Sequence, residues 1–556
     1  MSESKNSGLK IVVVGASAAG LRAAARAKRL MPESLITVID EGKIISYGAC
    51  GLPYYLSGDI GSPRALMETS WGTLRDPEFF KKVKGLDMRI QTTVTNVDIE
   101  NKSISLVNKI TCDEENLQFD KLVLATGATP IMLSGIPADH QRISTFKTVE
   151  DTVKWRKKLE TGQIERTAII GSGFIGIELA EAFTSMWNAK VDLIDGENRI
   201  LPQMLDADIS FLIKKHLKEH GVQLHKNCRV AAINDISDGL EIVMNNKTIK
   251  TEYAIVAIGV RPRVELARQM GLKIGKCGGI TVDKNLTTSH PDVYAAGDCI
   301  EVESFYGEKV IIPLGSLANE HGRAVGDQLA GRKTEFKKVV ESACVKVFDY
   351  NVASTGLTET MAARYGIPTR AVRGTFNDLA HYYPEDEKIF LKLIYNPDTQ
   401  QILGLQATGE GDVVKRVDVL GNLLMSEGCL EDLLDLEFAY SPPYASALDP
   451  LYMLGASALN QEEGIVSTDY AESSANGLVF DVRTSSEVKN YPLENTMHIQ
   501  LEELRERVNE VGENEAIRII CSRGARSAEA TRWFVEAGHK NVAYAGGGWF
   551  MLNKEL

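Results

Sequence analysis

The chain lacks features that mark several common protein classes. It has no apolar run approaching the roughly 18 residues needed to span a bilayer, and "MSESKNSGLK" at its start has no apolar segment of a secretory signal. Its net charge is −13, whereas nucleic-acid-binding proteins are usually basic. We therefore expect a cytoplasmic protein that acts neither on membranes nor on nucleic acid.

Paired cysteines are also missing. The eight cysteines lie at positions 50, 112, 228, 277, 299, 344, 429 and 521, and none form a Cys-x-x-Cys pair. This spacing argues against a zinc site or a Cys-x-x-Cys redox pair, and we expect no metal. In a chain without a signal, the cysteines are expected to be reduced thiols, most of them small core residues.

A strand–turn–helix–strand–acid pattern occurs twice. "KIVVVGASAAGLRAAARAKRL" (10–30) with "LITVID" (35–40) is the first copy, and "TAIIGSGFIGIELAEAF" (167–183) with "KVDLID" (190–195) is the second. Each copy has the order of an opening Rossmann unit. The two starts are separated by about 156 residues, which is too long for a solenoid repeat. The pattern therefore predicts two separate nucleotide-binding domains.

The turn of each unit is predicted to hold a pyrophosphate at a helix N-terminus, with an acid for the ribose. The alternative is a small-residue packing turn. The candidate residues are Gly15, Ser17, Ala18, Gly20, Asp40 and Glu41 in the first unit, and Gly171, Gly173, Phe174, Ile175, Gly176 and Asp195 in the second. Asp195 favours NADH over NADPH, and Arg199 is close enough in sequence to soften that preference.

Two dinucleotide sites imply hydride transfer from a nicotinamide to a second bound cofactor. A flavin suits this role because flavins accept hydride and pass electrons to sulfur. Further candidate cofactor contacts lie in strand-end segments and in "PLGSLANEHGR": Ala125, Thr126, Gly127, Gly259, Gly297, Asp298 and Ala318. For Asp298 the alternative is a simple turn residue at a strand end.

The order "GASAAG", "SYGACGLPYY", "LATGATP", "GSGFIGIE", "AAGDC" resembles the FAD-dependent pyridine nucleotide-disulfide oxidoreductases over residues 9–455. The single cysteine in "SYGACGLPYY" is similar to the coenzyme A-disulfide reductase and persulfide reductase branch. Relatives with paired cysteines carry Cys-x-x-x-x-Cys, and here position 45 is Ile. The resemblance implies FAD, NADH, coenzyme A as ligand or substrate, and a homodimer.

Cys50 precedes an expected helix start that contains Pro53. We expect backbone N–H groups there to lower the pKa of the thiol. Without a partner cysteine, Cys50 must form its mixed disulfide or persulfide with a substrate. The alternative is a core cysteine.

Several residues are candidates for substrate contact. Arg22, Arg26 and Arg29 share one helix face, which is either a solvated basic face or, as the resemblance implies, a site for coenzyme A phosphates. The resemblance also implies ligand contacts by Ser46 and Asn319, and a homodimer in which Tyr382 and Tyr440 reach the partner's site. Packing is the alternative for all four tyrosines of these segments, Tyr382, Tyr383, Tyr440 and Tyr444. Ala49 and Leu448 stand where the family usually has Asn and Lys.

The tail contains a second candidate reactive cysteine. In "CSRGAR", Cys521 ends a strand, and the short loop can direct N–H groups at the sulfur while Arg523 and Arg526 add positive charge. A buried cysteine before a helix is the alternative. A phosphatase loop would place its arginine six residues after the cysteine, and Arg526 is five after. With Asp481, Arg483 and "GGGW", the tail resembles rhodanese domains.

The predicted fold is α/β: FAD domain 1–150 and 276–334, NAD domain 151–275, α+β dimerisation domain 335–455, linker 456–474, and α/β rhodanese domain 475–556. The predicted function is a FAD-dependent NAD(P)H persulfide, polysulfide or coenzyme A persulfide reductase with a sulfurtransferase domain. The alternatives are a coenzyme A-disulfide reductase proper, an NADH oxidase or peroxidase that uses a cysteine sulfenic acid, and a sulfur carrier or redox sensor.

Overall fold

The computed structural model describes residues 8–137, 139–245, 247–468, 477–512 and 515–551. The first seven residues, which bear on the expected absence of a signal, lie outside this part. The chain forms two compact units. The first comprises Met1–Gly196 and Cys228–Val339, and the second comprises Glu197–Asn227 and Val340–Leu556.

The strands and helices of the described residues are numbered in chain order. The strands are β1 (Lys10–Val14), β2 (Leu35–Ile39), β3 (Asp87–Arg89), β4 (Thr92–Asp98), β5 (Ser103–Asn108), β6 (Glu114–Gln118), β7 (Lys121–Leu124), β8 (Ala128–Pro130), β9 (Ile143–Ser144), β10 (Arg166–Ile170), β11 (Lys190–Ile194), β12 (Gln223–His225), β13 (Val230–Ile236), β14 (Gly239–Met244), β15 (Thr248–Thr251), β16 (Tyr253–Val256), β17 (Val260–Pro262), β18 (Ile280–Thr281), β19 (Val293–Ala295), β20 (Ile300–Glu303), β21 (Lys309–Val310), β22 (Ala343–Val347), β23 (Tyr350–Gly356), β24 (Arg370–Asn377), β25 (Lys388–Tyr395), β26 (Ile402–Gly409), β27 (Ser467–Thr468), β28 (Leu478–Asp481), β29 (Met497–His498), β30 (Ile517–Ile520) and β31 (Val542–Ala545). The helices are α1 (Ala18–Leu30), α2 (Leu52–Leu56), α3 (Pro77–Lys84), α4 (Val149–Glu160), α5 (Phe174–Ser185), α6 (Ala207–Glu219), α7 (Glu265–Gln269), α8 (Gly315–Leu329), α9 (Glu359–Tyr365), α10 (Val414–Met425), α11 (Pro450–Glu462), α12 (Ser485–Asn490), α13 (Leu501–Arg507) and α14 (Ala525–Glu536).

The first sheet of the first unit has the order β19-β7-β1-β2-β3, and all its strands are parallel. Its central strands are apolar and buried, as a parallel sheet covered on both faces requires. Strand β19 comes from a much later part of the chain than its neighbour β7. The sheet is thus assembled from two separated stretches.

A second parallel set of strands in this unit runs β11-β10-β16-β9. It repeats the arrangement of the first sheet, with α5 following β10 as α1 follows β1. Smaller antiparallel pieces, β4-β5-β6 and β13-β14-β15, lie within the same unit. The predicted pair of Rossmann-like units is therefore confirmed.

Helices α1 and α8 pack closely because α8 carries glycine at the contact. A Cβ at Gly322 would lie 2.4 Å from the carbonyl oxygen of Ala19, and one at Gly326 would lie 2.6 Å from the Cβ of Arg26. The Arg26 guanidinium also pairs with Asp327 at 2.6 Å. This contact joins the start of the chain to a helix about 300 residues later.

The second unit contains an antiparallel sheet of order β22-β23-β26-β25-β24, with α10 and α11 packed against it. Helix α6 is attached to this sheet by charge. Lys392, 1% exposed, has its Nζ 3.1 Å from Asp206, 3.0 Å from Asp208 and 2.6 Å from Glu359. The sheet and its helices confirm the predicted α+β fold.

The last sheet has the order β27-β31-β30-β28-β29 and is entirely parallel. Its core includes Phe480, Ile519 and Phe534. The predicted linker 456–474 differs from the structure, because α11 continues to Glu462 and Ser467–Thr468 already pair with β31. Residues 469–474 lie outside the described part. The small and polar residues of 456–462 concealed the end of α11, whose buried face includes Leu454 and Ala458.

None of the helices in the described part of the chain has the length and apolarity needed to cross a membrane.

Candidate functional site

The first dinucleotide turn has the backbone that its glycines predict. Gly15 has a φ of +113°, and a Cβ there would lie 2.1 Å from the Ala125 carbonyl oxygen. A Cβ at Gly20 would lie 1.9 Å from the Gly15 carbonyl oxygen. Asp40 accepts hydrogen bonds from Ala16 N at 2.7 Å and Gly42 N at 2.8 Å. The turn therefore brings the strand end, the helix start and the acid together.

The second turn repeats this geometry. Gly171 has a φ of +110°, and a Cβ at Gly176 would lie 1.9 Å from the Gly171 carbonyl oxygen. Asp195 accepts hydrogen bonds from the backbone and the hydroxyl of Ser172, at 2.6 and 2.5 Å. Gly173 caps α5, whose first two residues are Phe174 and Ile175. At each turn the acid, Asp40 or Asp195, thus accepts a hydrogen bond from the N–H of the residue that follows the first glycine.

Both turns fit a pyrophosphate. Ser17 and Gly173, the N-cap residues of α1 and α5, make no side-chain cap hydrogen bond, and neither helix has an acid in its first turn. The N–H donors and the positive ends of both helix dipoles are therefore available to an anion. These donors suit a flavin dinucleotide at the turn after β1 and a nicotinamide dinucleotide at the turn after β10.

The other flavin candidates lie around the first turn. Ala125 follows β7, and Thr126 donates its hydroxyl to the Arg263 carbonyl oxygen at 2.6 Å. Gly127, Gly259 and Gly297 have φ values of +68°, +115° and +82°. Ala18 begins α1, and Ala318 is buried in α8. A Cβ at Gly297 would lie 3.1 Å from the Cβ of Ala19, which follows Ala18 in α1, and 3.8 Å from that of Ala318.

Glu41 already has cationic partners. Its carboxylate lies 2.6 Å from Arg263 and 3.3 Å from Lys109, and these hydrogen bonds and charges lower its pKa although burial acts in the opposite direction. Asp40, rather than Glu41, is therefore the equivalent of Asp195 at the other turn.

Lys147 is a feature of this site that the sequence analysis missed. Its Nζ donates to the Ala128 carbonyl oxygen, and burial lowers its pKa while the charge of Asp298 acts against that change. Burial raises the pKa of Asp298, and Lys147 counteracts the rise. A lysine two residues before a helix gives no sequence signal of this charge pair.

Cys50 lies in a 3₁₀ turn, Ala49–Gly51, directly before α2, which contains Pro53 in its first turn as predicted. Gly315, the first residue of α8, lies against the thiol, because a Cβ there would be 3.8 Å from Sγ. Cys50 is a free thiol that remains partly open to solvent. The start of the longer helix α8 therefore faces the sulfur.

The predicted lowering of the Cys50 pKa is wrong in this structure. Partial burial raises the thiol pKa above 9.0, and the charges of Glu178 and Asp298 raise it further. Hydrogen bonds from the backbone N–H groups of Cys50 and Gly315 act in the opposite direction but are outweighed. The sequence indicated the helix start but not the acids around the sulfur.

Glu178 is the second feature that the sequence analysis missed. Burial raises its pKa from 4.5 to about 7, with a contribution from the charge of Glu181 and an opposing one from the Tyr54 hydroxyl, which donates to Glu178 at 3.4 Å. Glu178 lies in the "GSGFIGIE" segment. As the acid nearest to the GxGxxG turn on that helix, it could have been noticed in the sequence.

The candidate substrate residues are the arginines of α1 and two polar residues, Ser46 and Asn319. Arg22 and Arg29 are exposed on α1, whereas Arg26 is held by Asp327. Arg26 therefore has a structural partner, contrary to the predicted row of three available arginines. Ser46 has a φ of +53°, and its N–H donates to the Ala16 carbonyl oxygen at 3.0 Å. The Asn319 amide donates to the Gly315 carbonyl oxygen at 2.8 Å, beside Cys50.

The two predicted tyrosines of the second unit lie together. The hydroxyls of Tyr382 and Tyr440 are 3.4 Å apart, and both side chains are exposed, at 64% and 50%. The hydrogen bond with Tyr382 raises the pKa of Tyr440. Tyr444 is 72% exposed.

The Cys521 loop has the predicted form. Cys521 is 1% exposed, and its Sγ accepts a hydrogen bond from Gly524 N at 3.0 Å and lies 3.4 Å from the Ser527 hydroxyl. Gly524 has a φ of +108° and caps α14. The loop therefore directs a backbone donor and the start of a helix at the sulfur.

Arg526 does not point freely at the sulfur. Its guanidinium donates to both carboxylate oxygens of Glu487, at 2.9 and 2.7 Å, and to the Ser522 hydroxyl at 2.9 Å. The Arg526 hydrogen bonds lower the Glu487 pKa to about 2. Arg483 and Asp481 form a buried pair at 2.7 Å in the same domain. These acids are partners that the sequence analysis did not assign.

The Cys521 loop is joined to strand β24. Thr375 donates its hydroxyl to the Gly547 carbonyl oxygen at 2.7 Å, and Arg523 donates to the Asn377 side chain. A cavity of about 650 Å³ lies here, lined by Tyr382, Tyr440 and Leu448 together with Arg523 and Gly524. The tyrosine pair and the cysteine loop thus border the same space.

The fold brings together two turns of the dinucleotide-binding type and two differently built cysteine environments, an arrangement typical of a redox enzyme. A family model described as pyridine nucleotide-disulphide oxidoreductase matches residues 9–322, its dimerisation domain matches residues 342–452, and a rhodanese-like domain matches residues 467–555. The chain belongs to the pyridine nucleotide-disulphide oxidoreductase family and carries a rhodanese-like domain.

Individual relatives agree with this assignment. The chain is 32% identical over 445 residues to an NAD(P)H sulfur oxidoreductase (CoA-dependent) of Pyrococcus abyssi, covering 80% of this chain and 97% of that protein. It is 31% identical over 454 residues to an NADH oxidase of Methanocaldococcus jannaschii, covering 82% and 99%. The solved structure of an NAD-dependent persulfide reductase from A. fulgidus matches with a TM-score of 0.94 at 36% identity, covering 98% of this chain and 100% of that one.

Proposed function

We propose that the chain is a FAD-dependent NAD(P)H reductase of persulfides and polysulfides, joined to a sulfurtransferase domain. One observation carries the proposal: the chain contains two differently built sulfur sites. Cys50 is a free thiol against Gly315 at the start of α8, and Cys521 is buried in a loop whose Gly524 N–H donates to its sulfur.

The cofactors are assigned to the two turns. The turn that follows β1 would hold a flavin, which when bound would supply hydride acceptance and electron delivery to sulfur. Its proposed contacts are Gly15, Ser17, Ala18, Gly20, Asp40, Glu41, Ala125, Thr126, Gly127, Gly259, Gly297, Asp298 and Ala318. The nicotinamide dinucleotide is assigned to Gly171, Gly173, Phe174, Ile175, Gly176 and Asp195.

NADH is the proposed donor, because an acid at the end of β11 disfavours a 2′-phosphate. Arg199 was a candidate to soften this preference. Its guanidinium donates to the Thr360 hydroxyl at 2.9 Å and to the Pro202 carbonyl oxygen at 3.3 Å. Arg199 therefore has protein partners of its own, and we do not propose it as a contact of a 2′-phosphate.

Cys50 is the proposed nucleophile. Its thiolate attacks the inner sulfur of a persulfide R–S–SH, which forms a Cys50–S–S–R disulfide and releases HS⁻. Two electrons from NADH then cleave this disulfide, and a proton converts the released RS⁻ to RSH. The net reaction consumes R–S–SH, NADH and a proton, and yields RSH, hydrogen sulfide and NAD⁺.

Coenzyme A is the proposed R group. The exposed Arg22 and Arg29 can bind its phosphates, and Asn319 lies beside the proposed nucleophile through its bond to Gly315. Ser46 is a further proposed contact, and Arg26 retains only a supporting role in packing α1 against α8.

Cys521 is proposed to carry sulfane sulfur as Cys521–S–SH and to transfer the outer sulfur to RS⁻, which yields R–S–SH and the Cys521 thiolate without net oxidation. The cavity that Arg523 shares with Tyr382 and Tyr440 supports delivery toward the reductase chemistry. Arg526 is proposed as a substrate-contact and positioning residue of this loop.

A homodimer is proposed, with Tyr382 and Tyr440 reaching the partner's Cys50 site and their phenols protonating a leaving thiolate. Their exposure and the matched dimerisation domain support this arrangement. A reducing, cytoplasmic location is also proposed, and all eight cysteines are free thiols in keeping with it.

The test is anaerobic NADH consumption with coenzyme A persulfide, followed together with sulfide release. We expect equal amounts of NAD⁺ and sulfide, loss of both in Cys50→Ser, and retention of both in Cys521→Ser when the persulfide is preformed. Cys521→Ser should lose only the activity that starts from a sulfane-sulfur donor and coenzyme A. Full activity in Cys50→Ser would refute the mechanism.

The runner-up function is an NADH oxidase that uses a Cys50 sulfenic acid. The similarity to a protein named NADH oxidase favours testing it directly. Rapid NADH consumption with oxygen or peroxide, and none with any persulfide, would replace the proposed function by this one.

A further inference from the structure

Three side chains of the second unit converge away from both cysteine centres. His216 lies near the end of α6, His220 is the residue that caps this helix, and Asp349 lies in the two-residue turn between β22 and β23. One ring nitrogen of each histidine and a carboxylate oxygen of Asp349 lie within 4.8 Å of one another. Asp349 Oδ1 is 2.6 Å from His216 Nε2 and 3.9 Å from His220 Nε2.

The spacing of the histidines places both rings on one helix face, because residues four apart lie one turn above each other. The β22–β23 turn faces the two rings with its carboxylate. Two elements that are far apart in sequence therefore supply three potential ligands to one point.

The hydrogen bonds orient the ligand atoms. His220 Nδ1 is 3.0 Å from the carbonyl oxygen of His216, and a carbonyl can only accept. Nδ1 therefore carries the hydrogen, and Nε2 presents its lone pair toward Asp349. An imidazole that donates its other N–H to a carbonyl is the usual support of a metal-binding histidine.

His216 Nε2 is buried and lacks an aligned hydrogen bond, although Asp349 Oδ1 is 2.6 Å away. A cation between the two groups would satisfy both.

Aromatic rings hold both imidazoles in place. Tyr350 stacks on His216 with centroids 3.8 Å apart and planes at 15°, and Phe348 stacks on His220 at 4.0 Å and 14°. These two aromatic residues flank Asp349 in sequence. The same turn therefore supplies the carboxylate and fixes the orientation of both rings.

We propose that His216, His220 and Asp349 form a binding site for a divalent transition-metal ion of the zinc type. Two imidazole nitrogens and one carboxylate oxygen are a zinc ligand set that leaves a fourth position open for water or another ligand. Imidazole ligands disfavour magnesium and calcium, which prefer oxygen.

The distances require a small adjustment. Ligand atoms about 2.0–2.2 Å from a tetrahedral ion are separated by about 3.3–3.6 Å. The His220–Asp349 separation of 3.9 Å is close to this value, and the His216–Asp349 contact of 2.6 Å must open by about 1 Å. The Asp349 side chain is 59% exposed and can rotate to allow it.

The ion would fix the second end of α6. The first end is already held by Asp206 and Asp208, which pair with Lys392 of β25. A metal at the last turn would attach the same helix to the β22–β23 turn. Binding to the folded chain alone raises the melting temperature as the metal concentration increases.

Zinc is the probe, titrated into full-length protein that has been treated with a chelator and dialysed. Because thiols also bind zinc, the decisive measurement is the difference between variants in ions bound per chain. His220→Ala and Asp349→Asn each remove one ligand at a solvent-accessible position. His140→Ala is the matched control, since that ring faces a single carboxylate, Asp235, at 3.3 Å.

We expect wild type and His140→Ala to bind one more zinc ion per chain than His220→Ala, with at least tenfold weaker binding at this site in Asp349→Asn. Zinc should raise the melting temperature of the first two proteins more than that of the ligand variants. Cobalt should give the visible absorption bands of a tetrahedral nitrogen–oxygen site in wild type and in His140→Ala, where the cluster is intact. The two ligand variants should lack these bands. The same stoichiometry, affinity and thermal shift in all four proteins would overturn the proposal.

Discussion

Glu178 should make the first unit less stable as the pH rises through neutrality. Its pKa is raised from 4.5 to about 7, chiefly by burial. Below pH 4.5 the carboxyl is protonated in both folded and unfolded chains, so it has no effect. Between pH 4.5 and 7 the unfolded chain loses the proton first, and the folded state is progressively destabilised. Above pH 7 the cost reaches its full value of about 3 kcal/mol.

Glu178→Gln removes this cost, because the amide is uncharged and its oxygen can still accept the Tyr54 hydroxyl hydrogen. The variant should match wild type near pH 4.5 and exceed its stability by up to about 3 kcal/mol at pH 8. For a unit of this size, that gain corresponds to a rise of about 5 °C in its melting transition. The same substitution should lower the pKa of Cys50, because the Glu178 charge raises it.

Calorimetry from pH 5 to 8.5 measures the first effect, and the pH profile of Cys50 alkylation, read by peptide mass spectrometry, measures the second. Glu100→Gln, at an exposed carboxyl of the same unit, is the control and should follow wild type at every pH. A difference between Glu178→Gln and wild type that is equally large at pH 5 and pH 8 would show that the carboxyl is not buried as its pKa requires.

Two further predictions concern the second unit and the nicotinamide turn. Lys392→Met leaves Asp206, Asp208 and Glu359 without their shared buried cation, so it should lower the free energy of unfolding by about 3–5 kcal/mol, and an unchanged urea midpoint would contradict this. Gly176→Ala places a Cβ 1.9 Å from the Gly171 carbonyl oxygen and should weaken NADH binding at least tenfold by fluorescence titration, whereas Gly61→Ala, with nothing within 4 Å, should bind NADH normally.

The dinucleotide turns were predictable because their determinants are local. Gly15, Gly20 and Asp40 lie within one strand–helix–strand segment, and so do Gly171, Gly176 and Asp195. A glycine with positive φ and a carbonyl oxygen where a Cβ would lie leave few alternatives to the residue present. The Cys521 loop was predictable for the same reason, since Gly524 is only three residues from the sulfur that it contacts.

The errors have the opposite origin. Arg26 was a candidate for either a solvated basic face or a ligand contact, but its partner Asp327 lies 301 residues away. The pKa of Cys50 was expected to be low, but Glu178 and Asp298 approach the thiol only after folding. The charge state of a thiol depends on all acids and donors around it, and a motif reveals only those on its own segment.

The Cys521 loop and the turn after β31 contact strand β24 directly. Thr375 and Asn377 of β24 bond Gly547 and Arg523, and a Cβ at Gly546 would lie 3.2 Å from Arg373 of the same strand. Strand β24 is an edge of its sheet, so its outer side was available for these contacts. A Cβ at Gly546 would also lie 2.4 Å from the Ser467 hydroxyl, so glycine suits this position. Arg523 of the Cys521 loop borders the cavity of Tyr382 and Tyr440. These contacts place the Cys521 loop beside the cavity that the proposed sulfur transfer would use.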